Sequence, residues 1–162
     1  MKKLMLIVMS QFLFLGWINP LQAESVWDKI HEHYAGPLNI KVYHSPTCGC
    51  CKDWLTHLEK HDFNITAIET QDMNSVKRQH NLPPQVASCH TAFIDGYIIE
   101  GHVPADDIKR LLKQRPKIRG LSVPRMPVGT PGMEMGPRKD PFIVVSFDEK
   151  GNAEPFKEYW AY

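Results

Sequence analysis

Three observations predict a thioredoxin-like α/β sandwich. A short strand leads into a turn crowded with cysteines, a helix follows that turn at once, and a β-hairpin and a last helix come later in the chain. Taken in order, residues 25–34 read as a short helix. Ser25 stands at its cap, and Trp27, Ile30 and Tyr34 share one face before Gly36-Pro37 ends it. Residues 39–43 form a strand candidate. Cys51, Trp54, Leu55 and Leu58 then repeat at i, i+3, i+4, i+7, which predicts a helix to about His61. Residues 63–68 alternate like a strand, and a polar helix is expected over about 74–80 until Pro83-Pro84 breaks the chain. Asp95-Gly96 between residues 91–94 and 97–100 is a two-residue hairpin signal. Pro104 suits a first helical turn, with Asp106 and Asp107 at the positive end of its dipole and Ile108, Leu111 and Leu112 on the apolar face. Residues 116–141, rich in Gly and Pro, read as one long ordered loop, a class that is often functional. A C-terminal hairpin over 142–147 and 154–159 closes the chain.

At 162 residues, with 23% charged and 43% apolar residues, the chain is not a disordered one and has the length for one core. A formal charge of +1 gives no basic field for nucleic acid. Lys2 and Lys3, the apolar run 4–18 and Leu21-Gln22-Ala23 make the pattern of a secretory signal peptide over residues 1–23. The run is shorter than the ~20 residues a spanning helix needs. Cleavage near Ala23 removes two lysines and no acid, so residues 24–162 form a single, slightly acidic, exported domain, and a bacterial periplasm is the expected destination.

The chemistry concentrates in Ser45-Pro46-Thr47-Cys48-Gly49-Cys50-Cys51-Lys52. Three thiols occupy four positions where a strand meets a helix, and the backbone N–H groups of a helix start favour thiolate. Cys48 and Cys51 have the C-x-x-C spacing of redox pairs. A third thiol invites wrong disulfides unless a metal occupies it. Soft thiolates select Cu(I), zinc or iron–sulfur clusters. Zinc ordinarily takes four ligands in more widely spaced pairs, which makes it the weaker alternative to copper. Adjacent Cys50 and Cys51 suit a thiolate-bridged cluster. The plainer reading is a Cys48–Cys51 disulfide with the remaining thiols buried and inert.

Cys89-His90 precedes the hairpin, in the loop that lies against the cysteine turn in a thioredoxin-like fold. His102 ends the hairpin's second strand, and His44 adjoins the cysteine turn; both are candidates for the metal or its surroundings. Met126, Met133 and Met135 fall in a loop with no helical or strand neighbours, where they either ligate or shield Cu(I) or plug the loop onto the domain. His31, His33, His57, His61 and His80 fall on polar faces and are expected in solvent.

Residues 42–51, 88–92, 100–104 and 126–135, in that order, resemble the exported copper-resistance family called CopG. The resemblance implies a periplasmic, thioredoxin-like protein that binds copper, as Cu(I) or Cu(II), through Cys48, Cys50, Cys51 and Cys89, with histidines and methionines nearby. It also implies an association with copper efflux or other periplasmic copper-handling proteins. His44 departs from the pattern, which has a basic Lys or Arg there. The expected function is copper sequestration for tolerance, possible redox chemistry of the copper included. The rivals are a thiol–disulfide oxidoreductase, with Cys48 as nucleophile and Cys51 as resolving thiol, and a copper chaperone for an efflux system. His90 stands where thioredoxins carry a proline, which counts against the first rival.

Overall fold

The computed structural model describes residues 25–162; residues 1–23, read above as a signal peptide, lie outside them. Seven strands form one sheet in the order β2-β1-β3-β4-β5-β6-β7. They are β1 (Asn39–His44), β2 (Asn64–Glu69), β3 (Thr91–Ile94), β4 (Tyr97–Glu100), β5 (Gly120–Ser122), β6 (Phe142–Phe147) and β7 (Ala153–Tyr159). Three helices accompany them: α1 (Gly49–Lys60), α2 (Met73–Gln79) and α3 (Ala105–Gln114). The fold is a mixed α/β sandwich. No helix among the described residues is long and apolar enough to cross a membrane.

The main core joins Trp54 and Leu58 of α1 and Ile108, Leu111 and Leu112 of α3 to Ile40, Val42, Ala92, Ile94, Ile99, Leu121 and Val144 of the sheet. A smaller cluster of Leu82, Val86, Ile98 and Phe147 packs apart from it. Ile98 and Ile99 are consecutive on one strand and so face opposite sides of the sheet. Burial on both faces explains why the central strands carry apolar runs and not strict alternation.

Residues 25–34 depart from the expected helix. They hold one 3-10 turn, Val26–Asp28, with the Ser25 side chain accepting from Trp27 N–H. Beyond it the Asp106 carboxylate accepts from the N–H groups of His31 (3.0 Å) and Glu32 (3.1 Å). A ten-residue helix is marginal by itself, and here a carboxylate from α3 satisfies the backbone instead. The Gly/Pro-rich stretch also contains a strand. β5 pairs parallel to β4, with Ile99 opposite Leu121. Three residues buried on both sides leave no periodicity to read.

His57 and His61 correct the expectation of solvated histidines: both are buried. His57 Nε2 accepts from Ala105 N–H at 3.0 Å, so an imidazole of α1 caps α3, whose own Pro104 offers no side-chain cap. His61 Nε2–H donates to the Trp27 carbonyl at 2.6 Å. Burial, and then the neighbouring His61, holds the His57 pKa well below the ordinary histidine value. The unfolded chain takes up that proton as pH falls below about 6.5 and the folded chain does not, so stability falls by up to ~1.4 kcal/mol per pH unit. Asp107 works oppositely: burial raises its carboxyl to about 6, so it restores stability only below that pH. The urea midpoint should therefore drop between pH 7 and pH 6. His57→Leu should cost about 1–3 kcal/mol through the orphaned Ala105 N–H, and its midpoint should depend less on pH across that window.

Candidate metal centre

Register brings the chemistry to one end of the sheet. Tyr43 pairs with Thr91 across antiparallel β1 and β3, so the residues leaving β1 meet those entering β3. Thr91 pairs with Glu100 on β4, and Glu100 with Ser122 on β5. The cysteine turn, the Cys89 loop, His102 and the start of the methionine loop thus issue from the same edge.

The sulfurs of Cys48, Cys50, Cys51 and Cys89 all lie within 4.8 Å of one another. Cys48 and Cys51 are joined as a disulfide, whereas Cys50 and Cys89 are free thiols. Cys50 Sγ stands 3.5 Å from Cys48 Sγ. Cys89, His90 and His102 form a second group that shares Cys89 with the first, so one sulfur joins a thiol cluster to an imidazole pair. Cys89 Sγ is 3.2 Å from His90 Nδ1 and 3.2 Å from His102 Nε2.

The histidines are oriented by their other ring nitrogens. His102 Nδ1–H donates to the Pro131 carbonyl at 2.8 Å, which leaves the Nε2 lone pair facing Cys89. His90 packs against Trp54, ring centroids 4.3 Å apart and planes tilted by 36°, and its Nε2 is buried without a partner. Burial holds both imidazoles below the ordinary pKa and so in the neutral form that ligates metals. Burial, then the adjacent Cys50, pushes the Cys89 thiol up to about 12. An entering cation has to displace that proton. Four sulfurs and two neutral imidazoles, one of them with an unpartnered buried ring nitrogen, fit a soft metal once the disulfide is reduced.

His44 is buried beside the turn, with Nδ1–H donating to the Ser45 carbonyl at 3.0 Å, and neither ligand group includes it. The methionines divide. Met133 is 8% exposed, but Met126 and Met135 are 48% and 70% exposed. What presses this loop onto the site is Gly132. Its φ is +79°, and a Cβ there would come within 2.6 Å of Trp54 N and 2.8 Å of Cys50 O.

One supporting residue escaped the sequence reading. The buried Glu100 carboxylate accepts from Ser88 N–H (2.6 Å), from the Thr91 hydroxyl (2.7 Å) and from Lys77 of α2. It thereby anchors the residue before Cys89. Gly101, at φ +72°, lets the same loop approach, since a Cβ would meet Ser88 Cβ at 2.6 Å and Val123 O at 2.7 Å. A lone Glu within an apolar hairpin strand was the available signal.

The fold and site define an α/β protein with a mixed thiol–imidazole centre suited to a soft metal. Residues 86–133 match the family model described as "Protein of unknown function, DUF411". Two solved structures are similar along most of the chain. "Copper resistance protein copG- Form 1" is 48% identical, covering 76% of this chain and 98% of that one with a TM-score of 0.72. "Copper resistance protein copG- Form 2" is 47% identical, covering 76% and 99%, also at 0.72. No curated protein matches. The chain belongs to the CopG copper-resistance family.

Two outcomes test the geometry. Iodoacetamide at pH 8 should alkylate Cys50 far faster than Cys89, whose rate should keep rising up to pH 11; equal rates at pH 8 would contradict the buried thiol. Gly132→Ala should cost about 1–3 kcal/mol in thermal unfolding and should speed Cys50 alkylation as the loop lifts from α1.

Proposed function

We propose that this protein binds copper as Cu(I) in a thiolate-bridged cluster for copper tolerance, in the periplasm after removal of residues 1–23. The observation that carries the reading is the convergence of four cysteine sulfurs with the His90 and His102 imidazoles. The printed names of the two similar structures supply the metal. The strand order β2-β1-β3-β4, with α1 starting at the cysteine turn, supports the thioredoxin-like assignment.

Reduction of the Cys48–Cys51 disulfide by two electrons and two protons gives two thiols. Each thiol that becomes a Cu(I)-bound thiolate then releases one proton, however many ions its sulfur bridges. His102, aimed by Pro131, offers its lone pair to the same metal or to the hydrogen-bond shell of Cys89. Met133 is the one buried thioether of the loop and the best placed to shield the site, whereas Met126 and Met135 stand in solvent. A redox role, in which the centre cycles Cu(I) and Cu(II) or stores electrons, is a further step of this reading. So is transfer of copper to an efflux partner. Zinc is the weaker cargo for a set dominated by clustered sulfur.

The Cys48–Cys51 disulfide favours a second reading, a thiol–disulfide oxidoreductase. One experiment separates them. The protein, reduced and kept anaerobic, is titrated with Cu(I) while bound copper and free thiols are counted. Two or more coppers per chain, falling on Cys50→Ser, support the cluster. No copper retained after desalting, together with insulin reduction that survives Cys50→Ser and Cys89→Ser, establishes the oxidoreductase. Met133→Leu should make the loaded centre more air-sensitive, and Met135→Leu should not.

A further inference from the structure

A second set of histidines lies outside the cysteine centre. A cavity of about 450 Å³ opens between the start of the described chain, α1 and α3, with His31, His57, His61 and Asp106 among its walls. His57, in the last turn of α1, and His61, its C-cap, are 6% and 1% exposed, with ring centroids 4.6 Å apart. The Nδ1 atom of each is buried without a hydrogen-bond partner. Buried polar atoms are almost always paired, so two orphans on one cavity wall call for a missing group.

The tautomers say what that group is. His61 Nε2–H is committed to the Trp27 carbonyl at 2.6 Å, so a neutral His61 turns an Nδ1 lone pair outward. That lone pair faces Asp106 Oδ1 at 3.7 Å, too far for a hydrogen bond. Two acceptors opposed at this separation are what a cation about 2.0–2.2 Å from each would hold at a wide angle. A ring N–H fixed on a backbone carbonyl is also the usual support for a metal-ligating histidine. His57 plays another part. Its Nε2 accepts from Ala105 N–H, so its Nδ1 carries the proton and serves as a donor. His31 stands exposed at the mouth, tethered by its N–H to Asp106 Oδ2 at 3.0 Å, and its imidazole would join the other two donors by a side-chain rotation. Three cationic side chains also line the cavity: Arg110, which Asp107 and Glu32 neutralise, and Lys29 and Lys157, which stand exposed at its edge.

We propose that this cavity is a second metal site, for a single borderline divalent cation and foremost Cu(II). Its ligands are His61 Nδ1, the Asp106 carboxylate and the His31 imidazole, and His57 Nδ1–H donates to a water on the cation. Two imidazoles, one carboxylate and water suit Cu(II), which also binds most tightly among first-row divalent ions. This site contains no sulfur and does not rest on the cluster reading.

The test uses the chain with Cys50→Ser and Cys89→Ser and the Cys48–Cys51 disulfide intact, so that no free thiol reduces or captures the ion. Titration with Cu(II), followed by electron paramagnetic resonance, should show one bound Cu(II) per chain with coupling to two imidazole nitrogens. Asp106→Asn should weaken binding at least ~10-fold. His31→Ala, at an exposed position, should reduce the coupling to one nitrogen with the fold intact. His61→Ala should abolish the signal; where that variant does not fold, the other two carry the test. Undiminished binding in both Asp106→Asn and His31→Ala, or no Cu(II) held at one equivalent, overturns the proposal. Zn(II) retained against equimolar Cu(II) overturns the choice of copper.

Discussion

The pairing of Tyr43 with Thr91 is the constraint on which the cysteine centre depends. β1 and β3 are antiparallel neighbours, so the chain leaving one and entering the other shares an end of the sheet. Each further pairing recruits another piece. The β3–β4 hairpin returns His102 to the same edge, and the parallel β4–β5 pair starts the methionine loop there. None of the four cysteines is brought there by its own side chain. They are carried by backbone ladders whose register is held by burial, because a slip of one residue would turn the apolar set on β1, Ile40 and Val42, out of the core.

A buried charge network then refines what the ladders bring together. Glu100 is wholly buried yet accepts from Lys77, Thr91 and Ser88. Burial raises its pKa while Lys77 pulls it down. Such a pair adds little net stability, but breaking it by removing one partner costs about 3–5 kcal/mol. Its effect here is positional. It ties α2, the hairpin and the residue before Cys89 into one unit, and Ser88 extends the tie to Arg125 at the root of the methionine loop.

Much of this was legible in the sequence, for reasons that particular residues illustrate. The cysteine turn could be read because strand, thiols and amphipathic helix are contiguous, so local pattern and tertiary site coincide. Asp95-Gly96 was equally plain, since a two-residue hairpin turn constrains residue type. Residues 25–34 misled because their face is truly amphipathic, yet its backbone partner, Asp106, comes from α3 seventy-odd positions later. His57 and His61 were read as solvated because a histidine counts as polar in any periodicity. Their burial depends on an acceptor role at Ala105 and a carbonyl at Trp27 that no local window contains. β5 was hidden by its shortness and its burial on both faces.

The disulfide and the metal make rival claims on the same sulfurs. Oxidation of Cys48 with Cys51 leaves only Cys50 and Cys89 as thiols, and these are too few to bridge several ions. A metal that binds the four thiolates stabilises the reduced form alone, so by linkage it makes the dithiol harder to oxidise, by about 30 mV for every 1.4 kcal/mol of binding. Conversely, an oxidising compartment weakens metal binding by the same free energy. In the reading proposed above, redox state and metal loading are therefore one coupled equilibrium, and two features of the fold bear on it. Cys51 is buried in the first turn of α1, away from solvent. Cys89 sits against His102, which the Pro131 carbonyl orients, and burial pushes its thiol up to about 12. With the disulfide formed the centre rests oxidised, and a metal bound to all four sulfurs would have to supply the free energy that keeps it reduced.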